Sequence, residues 1–97
     1  MRRYYLVCYD VTDEKRLRRT HKVMLGYGDP LQYSVFQCAL SPQEKALMKG
    51  HLLEVIHPKQ DRVIVVDLGA LDEGLREHIE FIGNPLTDPG LPEAVVV

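Results

Sequence analysis

Arg3-Tyr4-Tyr5-Leu6-Val7-Cys8-Tyr9-Asp10-Val11 is almost wholly apolar and rich in aromatic and β-branched residues until Asp10 interrupts it. A run of this kind predicts a central strand covered on both faces. Thr12 or Asp13 follows at once as a helix cap, and Asp13 and Glu14 suit the positive end of a helix dipole. A strand passing directly into a capped helix, here predicted to run to about Leu25, is the opening unit of a layered α+β chain.

Working outward, Leu17, Thr20, Met24 and Tyr27 fall at three- and four-residue steps and mark the buried stripe of that helix. Gly26-Tyr27-Gly28-Asp29-Pro30 reads as its stop, with glycine at a left-handed cap and proline shortly after. Gln32 to Leu40 alternates as a second strand. Ser41-Pro42-Gln43-Glu44 then opens a second helix as a capping box with proline at the first helical position. Met48, Leu52, Val55 and Ile56 form its buried stripe, and Pro58 stops it.

Arg62 to Leu68 is a β-branched run with the character of an interior strand. Residues 71 to 78 predict a helical turn and Ile79 to Ile82 a short strand. The order strand, helix, strand, helix, strand, short strand gives two helices against one sheet, with the order of strands left open. The division expected is a domain over residues 1–84 and a proline-rich tail over 85–97. Pro85, Pro89 and Pro92 lead into Ala94-Val95-Val96-Val97, an ending suited to docking on the sheet edge of a partner subunit.

The 97 residues, 45% hydrophobic, fill one core and no second domain. Self-association is a natural source of further stability at this size. No apolar run approaches the length that spans a bilayer, and Asp10, Asp13 and Glu14 break the one stretch that could imitate a secretion signal; a cytoplasmic address is expected. Cys8 and Cys38 lie in strand-like runs without zinc spacing and read as free thiols. The four histidines show no metal-ligand spacing.

The formal charge of -2 gives no global attraction for nucleic acid. Distribution matters more: Lys15, Arg16, Arg18, Arg19 and Lys22 stand within one helix. The alternative is a solvated helix face. Asp10 is the acid that needs explaining, because burying a carboxylate at the end of an apolar strand is costly. A turn or cap hydrogen bond, a positive side chain or a metal ion would each justify it. Magnesium takes hard oxygen ligands and keeps several waters, so one Asp10 from each of two subunits suffices for a site that cleaves phosphodiesters. Tyr9 and Phe36 are candidates for stacking on bases, with core packing as the alternative. No Ser-His-Asp, Cys-His or phosphate-loop motif occurs, so hydrolysis here would require a metal.

Tyr9-Asp10-Val11, Asp13-Glu14-Lys15-Arg16 with Arg19 and Lys22, Tyr27-Gly28 and Gln32-Tyr33-Ser34-Val35-Phe36, in that order, resemble the CRISPR-associated Cas-two endonuclease family over most of the chain. The resemblance implies a ferredoxin-like two-layer fold with a mainly antiparallel sheet and two helices on one face. It implies a homodimer, magnesium (or manganese) held by Asp10 at the subunit junction, and metal-dependent cleavage of RNA or DNA in spacer acquisition. Tyr9, Arg16, Arg18, Arg19 and Phe36 would then bind nucleic acid. It also implies a rival role, a non-catalytic DNA-binding scaffold bridging subunits of the Cas-one integrase. Two departures stand out: Asp29-Pro30-Leu31 where the family often carries a basic residue, and Thr20-His21 where an apolar pair is commoner.

Overall fold

A computed structural model describes residues 1–70 and 78–84. Strand β1 (Arg3–Asp10) leads into helix α1 (Glu14–Leu25), followed by β2 (Gly28–Gln32), β3 (Val35–Leu40), helix α2 (Pro42–Val55) and β4 (Arg62–Gly69). The sheet order is β2-β3-β1-β4, and each neighbouring pair is antiparallel. β3 therefore lies between β1 and β2, the split β-α-β arrangement of a ferredoxin-like fold. The expected α+β architecture is the one observed.

Alternation builds the core. Tyr5, Val7 and Tyr9 of β1, Phe36, Cys38 and Leu40 of β3, Met24 of α1, and Met48 and Leu52 of α2 are buried together. Each fully buried side chain of this size contributes about 1.5–3 kcal/mol. Burial pushes the Cys38 thiol up to about 12, with the charge of Asp29 adding to the shift; both cysteines are free. Among the described residues no helix is long and apolar enough to cross a membrane.

Caps fix the helix starts as the sequence predicts. Asp13 accepts from the Arg16 amide at 3.0 Å. Ser41 accepts from the Glu44 amide at 3.1 Å, while Glu44 accepts from the Ser41 amide at 2.8 Å.

Four expectations are corrected. Gly26 is right-handed (φ -82, ψ -7) rather than left-handed. α1 ends by tightening, through Gly26 N–H to Val23 O and Tyr27 N–H to Met24 O. The segment read purely as punctuation contains β2, whose Pro30 is tolerated because β2 is an edge strand. β4 is also an edge strand rather than an interior one, and Ile64, Val66 and Leu68 on it are exposed at 51%, 39% and 37%. Residues 79 to 82, expected as a short strand, form none. The turn expected over 71–78, except His78, and the tail over 85–97 fall outside the described residues.

Gly28 is required by closeness rather than by its dihedrals. A Cβ there would meet Gln37 O at 2.2 Å and Cys38 Sγ at 2.6 Å, and the first of these is backbone that cannot turn aside. Gly28→Ala is expected to cost about 3 kcal/mol by forcing β2 off β3. A urea midpoint equal to that of the parent protein would refute it.

Candidate nucleic-acid and metal site

Period-two alternation places Tyr5, Val7 and Tyr9 toward the helices and Leu6, Cys8 and Asp10 on the opposite face of the sheet. Across β1 and β4, Leu6 stands opposite Val66, Cys8 opposite Ile64 and Asp10 opposite Arg62. Asp10 thus ends a row of side chains on a sheet face where, among the described residues, Ile64, Val66 and Leu68 are exposed. Its carboxylate is exposed and has no hydrogen-bond or ion-pair partner among the described residues. It lines a shallow cavity of about 150 Å³ together with Cys8, Tyr9, Ser34, Val35, Arg62 and Ile64.

The donor chemistry at this position suits magnesium or manganese: a hard, charged oxygen ligand with open space around it for water. Among the described residues no group of three or more His, Cys, Asp or Glu side chains could hold an ion.

The basic residues of α1 divide into two kinds. Lys15, Arg18, Arg19 and Lys22 are exposed and line one shallow surface depression. Their spacing puts them along one side of the helix over about 10 Å. Only a long 3.8 Å contact joins Arg18 to Glu14, both well exposed, and such a pair holds a side chain weakly. Arg18 and Arg19, expected as phosphate ligands, are therefore available, and Lys15 and Lys22 join them.

Arg16, expected to bind nucleic acid, is different because its guanidinium is engaged within the chain. Its Nε donates to Asp61 Oδ2 at 2.8 Å, and its Nη2 donates to Asp61 Oδ1 at 3.2 Å and to Gln60 Oε1 at 3.1 Å. Asp61 also accepts from the amides of Thr12 at 3.1 Å and His57 at 2.7 Å, and its side chain is inaccessible to solvent. The Arg16 guanidinium, first, and then the two amides hold the Asp61 carboxyl far below the usual aspartate range. This clamp fastens the β1–α1 junction, just beyond Asp10, to the loop between α2 and β4. No local pattern marks Asp61, because it lies 45 residues from Arg16.

Tyr9 and Phe36 are corrected. Their relative exposures are 6% and 0%, with ring centroids 6.2 Å apart in the core, so neither offers a face to a base. The Tyr9 hydroxyl donates to Tyr33 O at 2.6 Å, and burial pushes its pKa upward, with Tyr33 adding to the shift.

Residues 1–73 match the family model described as CRISPR associated protein Cas2. A protein of Geobacter sulfurreducens named CRISPR-associated endoribonuclease Cas2 is 37% identical over 97 residues, covering 100% of both chains. A CRISPR-associated endoribonuclease Cas2 of Thermodesulfovibrio yellowstonii is 47% identical over 68 residues, 70% of this chain and 75% of that one. Among solved structures, Streptococcus pyogenes Cas2 superposes with a TM-score of 0.70 at 33% identity, over 82% of this chain and 99% of that one. A hypothetical protein of Thermus thermophilus shares the fold with a TM-score of 0.75 at 22% identity, over 91% of this chain and 99% of that one. With a capped strand-helix opening that presents one acid, a ferredoxin-like sheet and these matches, the chain belongs to the CRISPR-associated Cas2 family.

Proposed function

We propose that this chain is a metal-dependent endonuclease acting on RNA or DNA in CRISPR spacer acquisition, as a homodimer with an Asp10 from each copy at the junction. The observation that carries this reading is the position of Asp10 at the end of the open apolar sheet face. Ile64, Val66 and Leu68 expose on that face an area that a second copy would cover. An isologous two-fold contact between two such faces juxtaposes equivalent rows, and each row ends in a carboxylate. The naming of relatives as endoribonucleases supports the same activity.

In this reading Asp10 holds magnesium or manganese, and the ion supplies charge neutralisation at the phosphate and polarisation of a water. The residues of the chain do the rest. Arg18, Arg19, Lys15 and Lys22 bind backbone phosphates, and the Arg16–Asp61 clamp fixes the junction that carries Asp10. Incubation of labelled RNA and duplex DNA with the dimer is expected to give cleavage with magnesium and none with chelator. Cleavage indifferent to chelator would remove the metal from the reading.

A second reading has its own support. The exposed stripe on α1 needs neither Asp10 nor an ion to bind a phosphate backbone, so it suits a scaffold that holds DNA between subunits of the Cas-one integrase. Under either role, Arg18→Ala and Arg19→Ala should each flatten the dependence of log affinity on log salt by about one unit. An unchanged slope in the double variant would exclude the stripe as the phosphate contact.

A further inference from the structure

Tyr33 occupies the turn between β2 and β3 and is 49% exposed, although one face of its ring is covered. The His21 imidazole stacks on it with centroids 4.0 Å apart and planes 3° from parallel. His21 in turn meets the wholly buried Phe36 edge-on at 5.3 Å. Three rings therefore rise from the core to the surface, and with His21 beneath Tyr33, the exposed part of the last ring is its opposite face and rim.

The Tyr33 backbone is held as firmly as its ring. Its carbonyl accepts from the Tyr9 hydroxyl at 2.6 Å and lies 3.0 Å from His21 Nδ1. His21 Nδ1 also lies 3.3 Å from the Tyr9 hydroxyl, and the two contacts fix the imidazole orientation. An aromatic ring already immobilised loses little freedom when a second flat group packs on it.

The surroundings suit a nucleotide. Ser34, next in the chain, lines the cavity that holds Asp10. α1, which supplies His21, also supplies Arg18 one turn earlier and Lys22 one residue later, both in the basic depression.

We propose that Tyr33, backed by His21, is a stacking platform for one unpaired base of a single-stranded segment, and that this chain engages single strands through it. The inference rests on the nucleic-acid reading above and adds to it a subsite and a strand preference. Base-on-ring stacking is worth about 5- to 150-fold in affinity per base and tolerates any sequence. A closed duplex keeps its bases stacked on each other and offers none to the platform.

The test compares, by fluorescence anisotropy on the intact protein, a short oligonucleotide with an abasic strand of equal length and charge. The parent protein is expected to favour the base-bearing strand by about tenfold. Tyr33→Ala should erase that preference without altering the salt dependence, and Tyr33→Trp should restore it. A 2-aminopurine base in the strand should be quenched on binding the parent protein and not on binding Tyr33→Ala. Equal affinity of the parent protein for both strands, or a preference that survives in Tyr33→Ala, would overturn the platform while leaving phosphate binding intact. Failure of both strands to bind would take away the nucleic-acid reading and the platform with it.

Discussion

Asp10→Asn is expected to lower phosphodiester cleavage at least ~100-fold while leaving thermal unfolding nearly unchanged. The substitution keeps the shape and a carbonyl oxygen but removes the charge on which a hard divalent ion depends. A metal ion contributes several kcal/mol to the stabilisation of charge in such a reaction, and each 1.36 kcal/mol is tenfold in rate. Folding should barely register the change, because Asp10 is exposed and has no partner among the described residues. The measurement is single-turnover cleavage of labelled RNA and duplex DNA by matched preparations. Equal rates for the two proteins would assign the cleavage to a contaminant and leave the scaffold as the surviving role.

Asp61→Ala should have the opposite profile, with a large loss of stability and a secondary loss of activity. The substitution strips Arg16 of its bidentate partner and orphans the amides of Thr12 and His57 in one step. Removing one member of a buried, hydrogen-bonded ion pair is strongly destabilising, and a Tm lower by roughly 10 °C or more is expected for a domain of this size. A Tm within about 2 °C of the parent protein would contradict the clamp.

The same carboxylate predicts a pH dependence. Its pKa is lowered in the folded protein, so the unfolded chain binds the additional proton as acid is added. The stability it contributes is fully present above the ordinary aspartate range and is lost as pH falls through that range toward the folded value. Asp13, Glu44 and Asp67 are also lowered and act with the same sign. Asp61→Asn should therefore unfold with a shallower acid limb than the parent protein, though not a flat one. Identical limbs in urea titrations between pH 3 and 6 would remove Asp61 from the linkage.

Much of this protein is legible in its sequence because the signals are local. The caps at Asp13 and Ser41, the alternation of β1 and the stripes of both helices depend on residues within one or two turns of each other. Asp10 was legible for the same reason, as a single acid ending an apolar strand. Neither the edge position of β4 nor the existence of β2 was: a β-branched run looks alike whether it pairs on one flank or two, and Gly28-Asp29-Pro30-Leu31-Gln32 carries turn residues in place of strand formers.

The sequence alone therefore determined both helices with their caps, the strands β1 and β4, and Asp10 as the acid that ends β1. Tertiary structure decided which side chains remain open to a ligand: Tyr33 rather than Tyr9 or Phe36, and Arg18 and Arg19 rather than Arg16. The physical reason is that exposure and pairing are set by neighbours distant in the chain. Asp61 claims Arg16 across 45 residues and His21 backs Tyr33 across 12, and local periodicity carries no trace of either.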